Sequence, residues 1–200
     1  MPLTRLVVMD SRGGTAVGPV TFRVARRTRM SLCYMFLALL VLPVASVACN
    51  FGKSKADLAA EAVQRGLQAH GEGRLDAAAA AYHEALDLDP QNKYAFYNLG
   101  LIDQTSGRPR SAENYYRLAL SADPEFTPAL FNLAILRTAA GDTREAIDLY
   151  RRVTALKPDE AGPHLNLGFL LRSIGQEAEG DAEIQRALQL DPALASRLRP

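Results

Sequence analysis

Four prolines, Pro90, Pro124, Pro158 and Pro192, stand 34 residues apart, and each closes a similar run: LDLDP, LSADP, TALKP and LQLDP. A fixed period of that length admits few folds, because each copy is one supersecondary unit that can bury its apolar face only against its neighbours. Other landmarks keep the same phase. Gly73, Gly107, Gly141 and Gly175 recur at that interval, as do Tyr82, Tyr116, Tyr150 and Ile184, and Ala85, Ala119, Val153 and Ala187.

Each residue type has a mechanical reason at its place. A glycine near mid-copy can take the left-handed conformation that ends a first helix and turns the chain. Polar residues beside it, as in Gly141-Asp142-Thr143 and Gly107-Arg108-Pro109, can start a second helix, with Pro109 suited to a first helical turn. The small residues Ala78, Ala112 and Ala146 fall where two antiparallel helices approach closely, and the aromatic one turn later fills the space they leave. Proline then closes the second helix by pushing the residue before it out of the α region.

These residues resemble the tetratricopeptide repeat family, most fully between Tyr94 and Pro124, where YNLG is followed by Gly107, Ala112, Tyr116, Ala119 and Pro124. The resemblance implies an all-α fold, a right-handed superhelix (α-solenoid) of four stacked helix-turn-helix motifs. With proline near the end of each copy, the motifs fall at 59–92, 93–126, 127–160 and 161–194, followed by a tail at 195–200. The terminal copies depart from the pattern. Ala62 and His164 stand where a bulky apolar residue is usual, Gly180 replaces the close-contact alanine, and Glu177 stands for an aromatic. Those copies are expected to be the loosest.

Charge is divided unevenly. Residues 1–48 hold six Arg and one acid, whereas residues 49–200 hold 17 bases and 21 acids. A mildly acidic body does not attract nucleic acid. Both cysteines, Cys33 and Cys49, precede the repeats, so the body has no thiol for a disulfide, a nucleophile or a thiolate metal site. His70, His83 and His164 show no metal-ligand spacing, and no phosphate-binding, dinucleotide or nucleophile-elbow motif occurs. The acids Asp87, Asp89, Glu177, Glu179, Asp181 and Glu183 are assigned to the exposed face of second helices. No catalytic residue, metal site or cofactor is expected, and the chain is read as a non-enzyme.

Residues 1–48 read as an export leader: a long basic region at 1–29, ending in Arg26, Arg27 and Arg29, then SLCYMFLALLVLP, then the small residues Ala45 to Ala48. The basic region is an unusually long one, either a start-site overcall or an N-terminal extension. Ala45-Ser46-Val47-Ala48-Cys49 resembles the lipobox of bacterial lipoproteins, with Ser46 where that motif prefers Leu. That resemblance implies lipidation at Cys49. Ordinary cleavage and an uncleaved anchor are the other two routes, and all three place the body outside the cytoplasmic membrane, in a bacterial envelope facing the periplasm or exterior. Asn50 in place of Asp favours the outer membrane. A short tether, 49–58, leads to the repeats.

In stacked hairpins of this kind the concave face is lined by first helices. Two stripes fall there. One is an amide ladder, Gln64, Asn98, Asn132 and Asn166, which in relatives of the family hydrogen-bonds the backbone of an extended peptide; alternatively these amides satisfy a neighbouring helix. The other is apolar: Val63, Leu67, Tyr97, Leu101, Phe131, Ile135, Leu165 and Phe169. At least part of it should stay accessible, which points to a protein or peptide partner that is amphipathic or apolar. Places that hold Lys or Arg in carboxylate-gripping members here hold Val63, Leu67, Pro128 and Asn132, so that function is disfavoured. The alternative is a homo-oligomeric structural protein that uses an apolar edge left uncovered after Pro192.

Overall fold

In the computed structural model, residues 52–197 are described, and they form helices joined by short turns, with no strand among them. The helices are α1 (Lys55–Gly71), α2 (Leu75–Leu88), α3 (Lys93–Thr105), α4 (Pro109–Ala122), α5 (Thr127–Ala139), α6 (Thr143–Leu156), α7 (Ala161–Ser173), α8 (Glu177–Leu190) and the single turn α9 (Leu194–Arg197). Consecutive helices pack as four hairpins, α1/α2 to α7/α8, and each hairpin stacks on the next through its second helix. The result is an α-solenoid.

The turns explain the period. Gly73, Gly107, Gly141 and Gly175 have φ of 74°, 73°, 82° and 82°, a region costly for any residue with a Cβ. The residue after each glycine donates its N–H to a carbonyl five residues back, for example Arg108 N to Asp103 O at 2.8 Å, the six-to-one bond of a Schellman turn. At the other end of each hairpin, Asp89, Asp123, Lys157 and Asp191 lie just before the prolines with φ between −133° and −145°. There the helix stops because proline disfavours α geometry in its predecessor. Three of those residues then brace the following turn, their carboxylates accepting from the N–H groups of Gln91, Glu125 and Ala193.

Two details of the helix starts differ from the sequence reading. Residues 55–58, expected in the tether, belong to α1, because Ser54 and Asp57 form a reciprocal capping box that starts the helix at Lys55. Asp142 stands at the start of α6 without capping it through its side chain. Its carboxylate is drawn instead to Arg137 of α5.

The hairpins close on tyrosine. Tyr82, Tyr116 and Tyr150 are almost fully buried at equivalent places. A Cβ added at Gly66 would lie 2.4 Å from the Tyr82 ring, and one at Gly100 would lie 2.5 Å from that of Tyr116. The fourth hairpin, expected to be loose, is instead tightly closed. It pairs Gly168 of α7 with Gly180 of α8, and a Cβ on either would come within 2.7 Å of the other's carbonyl oxygen. Substituting glycine for alanine there brings the helix backbones closer rather than leaving a gap. His164, also in that hairpin, is buried, with Nδ1 2.5 Å from a Glu183 carboxylate oxygen and Nε2 3.2 Å from the Pro158 carbonyl oxygen. Glu183 is thus half-buried and engaged between helices, not part of a solvated face.

Candidate functional site

Beyond α1, which carries Lys55, Asp57, Glu61 and Arg65, the inner wall of the solenoid is built by α3, α5 and α7. Each is 13 residues long and almost free of charge: α3 carries Lys93 and Asp103, α5 carries Arg137, and α7 carries Arg172 besides His164. All four formal charges turn toward a second helix or its flanking turn. Lys93 Nζ lies 2.5 Å from an Asp123 carboxylate oxygen, and Asp103 receives Arg108 at 2.6 Å and also the Ser111 hydroxyl. Arg137 reaches Glu113 at 3.0 Å, Glu145 at 2.8 Å and Asp142. Arg172 lies 3.5 Å from Asp181.

These pairs alter the groups they join. The hydrogen bond from Lys93 holds the Asp123 carboxyl below its ordinary value, and the same bond raises the Lys93 ammonium. Burial alone would raise the Glu113 carboxyl, but Arg117 and Arg137 together hold it below its usual range. The charges are therefore fixed on the outer layer, where Arg117 also reaches Glu145 and Arg151 reaches Glu179, each partner 28 residues on.

The amide ladder is bound into this frame. Asn132 donates from Nδ2 to the Tyr97 hydroxyl and Asn166 from Nδ2 to the Tyr150 hydroxyl, both at 3.2 Å, while Asn98 donates to the Tyr94 carbonyl at 2.8 Å. Asn98 is buried, Asn132 and Asn166 are half-buried, and Gln64 is exposed on α1. The neighbouring-helix alternative thus describes the amino groups of Asn132 and Asn166. Their carbonyl oxygens receive no donor from the described residues. Burial pushes the Tyr150 phenol up, only partly countered by its hydrogen bonds with Thr138 and Asn166.

The apolar stripe is a seam more than an exposed strip. Val63 is core at 6% exposure, and Tyr97, Leu101, Phe131, Ile135 and Leu165 are half-buried. Neighbouring elements cover it there: Tyr97 of α3 packs edge-on against Phe126, just before α5, at 5.5 Å, and Phe131 of α5 edge-on against Tyr150 of α6 at 5.8 Å. Only Leu67 and Phe169 are left largely open, at 41% and 46%.

Where the seam parts, between α5 and α7, lies an open groove of about 590 Å³ lined by Ile135, Thr138, Ala139, Tyr150, Asn166, Phe169, Leu170 and Ser173. Three of these, Ile135, Asn166 and Phe169, were singled out in the sequence. Thr138, Ala139 and Ser173 were missed, although they stand three or four residues beyond Ile135 and Phe169, which extends the same helical stripe by one turn. Leu101, Phe131, Leu165 and the other amides lie outside this groove. No cluster of potential metal ligands occurs among the described residues, and no helix among them is long and apolar enough to cross a membrane.

A family model described as "TPR repeat" matches residues 66–107, and one described as "Tetratricopeptide repeat" matches residues 103–161. No curated protein sequence matches the chain. Among solved structures, MamA is similar with a TM-score of 0.61 at 18% identity, over 69% of this chain and 81% of that one. PilF of Pseudomonas aeruginosa is similar with a TM-score of 0.62 at 23% identity, over 70% of this chain and 64% of that one. A tetratricopeptide repeat protein from Parabacteroides merdae gives 0.60 at 22% identity, over 68% of this chain and 54% of that one. At these identities the likeness is one of fold.

Proposed function

Because this chain belongs to the tetratricopeptide repeat family, whose hairpin arrays are protein-interaction scaffolds, we propose that it is a membrane-anchored adaptor of the bacterial envelope. It holds a partner protein on its concave face and keeps that partner near the membrane, in support of an envelope assembly. One observation carries the binding half of this reading: an inner wall along α3, α5 and α7 whose few charges are all paired, opening into an apolar groove beside the tethered amide of Asn166. Apolar surface of that kind on a soluble body marks an interaction site.

The anchoring half rests on sequence. The uncharged run Met30–Gly52 follows three arginines and contains the lipobox-like stretch ending at Cys49, which lies outside the described residues. Helix α1 begins at Lys55, so only four residues lie between Cys49 and its N-cap Ser54, five steps along the chain that span at most ~18 Å when extended. The body would sit close to its membrane. Replacing Cys49 by serine is expected to release the protein from the membrane fraction and to change its electrophoretic mobility. Unchanged membrane association and mobility would overturn the lipoprotein reading.

Self-assembly through the C-terminal edge has a thinner basis. In the last hairpin Leu171 and Ile184 are already buried, and the large apolar residues left open are Phe169, on the groove, and Ile174, half exposed at the turn.

A further inference from the structure

We infer that the first hairpin, α1/α2, is hinged to the array and opens as a unit of its own, while the second, third and fourth hairpins stay locked together. The argument begins with the polar ties between hairpins. Between the second and third, Arg117 reaches Glu145 at 2.7 Å, Arg137 reaches Glu113 at 3.0 Å, and Arg152 donates to the Pro124 carbonyl at 2.5 Å. Between the third and fourth, Arg151 reaches Glu179 at 2.7 Å, Arg186 donates to the Pro158 carbonyl at 3.4 Å, and Asn166 donates to the Tyr150 hydroxyl. The ion pairs of the first hairpin, Lys53–Glu61, Arg65–Glu84 and Arg74–Glu72, all stay inside it. Among the described residues, no side-chain hydrogen bond or ion pair joins α1 or α2 to α3 or α4.

The sequence shows why. One period earlier than these ties, His83 and Ser111 stand for Arg117 and Glu145, Leu118 stands for Arg152, and Ala79 and Asp103 stand for Glu113 and Arg137. Asn98 holds the place of Asn132 and Asn166, but it turns back to the Tyr94 carbonyl of its own helix. The Tyr82 hydroxyl, at the place of the Tyr150 hydroxyl, is left buried without a partner. Such a group is costly while dry, and opening the junction wets it. Each exposed ion pair alone is weak, and it is their sum with the amide–hydroxyl bond that sets the later junctions apart. What closes the first is apolar contact: Ala78, Tyr82 and Ala85 of α2 share a cluster with Ala95, Leu99 and Ile102 of α3. Apolar contact is non-directional, so at this junction two hairpins can part or turn. The groove between α5 and α7 lies wholly on the locked side. On the anchored reading, on which this consequence rests, the hinge lets the groove reorient relative to the membrane without changing shape.

Hydrogen exchange of the full-length chain in detergent, read by mass spectrometry, tests the hinge by comparing the two end hairpins, each of which has one neighbouring hairpin. Amides of α1 and α2 are expected to exchange at least ~tenfold faster than those of α7 and α8. Their exchange should also respond less to urea than that of α4 to α6, because they open without the rest. Leu118→Arg supplies the missing tie to the Pro90 carbonyl, as Arg152 does to that of Pro124, and should slow exchange in α1 and α2 ~threefold with α7 and α8 unchanged. Arg186→Ala should speed α7 and α8 alone. Leu118 and Arg186 are both exposed, so neither change disturbs the core. Equal protection of the two end hairpins, exchange of α1 and α2 in step with α4 to α6 as urea is added, or no response to Leu118→Arg overturns the hinge. The same pattern is expected of Cys49→Ser, so failure of the anchor and failure of the hinge are read separately.

Discussion

Truncating Tyr116 to alanine is expected to cost about 3–5 kcal/mol, a loss comparable with the whole stability of a small domain. The ring is fully buried between α3 and α4, touches Gly100, lies 5.9 Å from Tyr97 and holds Gln104 through its hydroxyl at 2.6 Å. Because each hairpin is stabilised by its neighbours alone, a cavity in the second of four weakens the interfaces on both sides. The phenylalanine series separates ring from hydroxyl. Tyr150→Phe leaves Asn166 Nδ2 without its acceptor and should cost about 1 kcal/mol. Tyr82→Phe should cost nothing or stabilise, since the Tyr82 hydroxyl is buried with no partner and burial pushes its pKa up to about 12. Urea denaturation of the three variants checks the order. Equal losses in Tyr82→Phe and Tyr150→Phe would contradict it.

Gly168→Ala should destabilise the protein, although alanine is the better helix former by about 1 kcal/mol. The added Cβ would stand 2.6 Å from Ile184 Cγ1, 2.7 Å from the Gly180 carbonyl oxygen and 3.0 Å from the Ile184 backbone nitrogen. Two of these are backbone atoms of α8 that cannot turn aside, so the helices must separate, an overpacking cost of about 1–3 kcal/mol. Gly162→Ala provides the contrast in the same helix. Its Cβ would find nothing nearer than the Phe131 ring at 4.0 Å, and propensity alone should then stabilise by up to about 1 kcal/mol. Opposite signs for the two substitutions in thermal melts are the expected result.

These glycines show which parts of the molecule a single sequence displays. The period was legible because its markers act through the backbone: a glycine with φ near 75° and a proline that ends a helix do the same work in any surroundings. The buried tyrosines followed from that phase. Gly180, by contrast, was read as a defect in the pattern, because a missing Cβ looks like a gap until the facing residue is also seen to be glycine. Glu183 was read as solvated because helical phase does not reveal that His164 lies across from it. The groove was half legible for a similar reason. Position along a helix places Ile135, Asn166 and Phe169 on the inner face, but only the packing of each first helix against its neighbours decides that Val63 is closed among Tyr82 and Leu99 and that the α5/α7 seam is open.

A partner segment is expected to lie on the inner wall between α5 and α7. Photocrosslinking tests it most directly: an apolar 12-residue peptide retained by the full-length chain, carrying benzoylphenylalanine in place of its bulkiest residue, is irradiated in the complex and the adducts are mapped by mass spectrometry. Adducts are expected between Ile135 and Ala139 and between Phe169 and Ser173, and to be lost in Ala139→Glu. Adducts on the outward faces of α4 and α6, at Leu118 or Leu156, would contradict it.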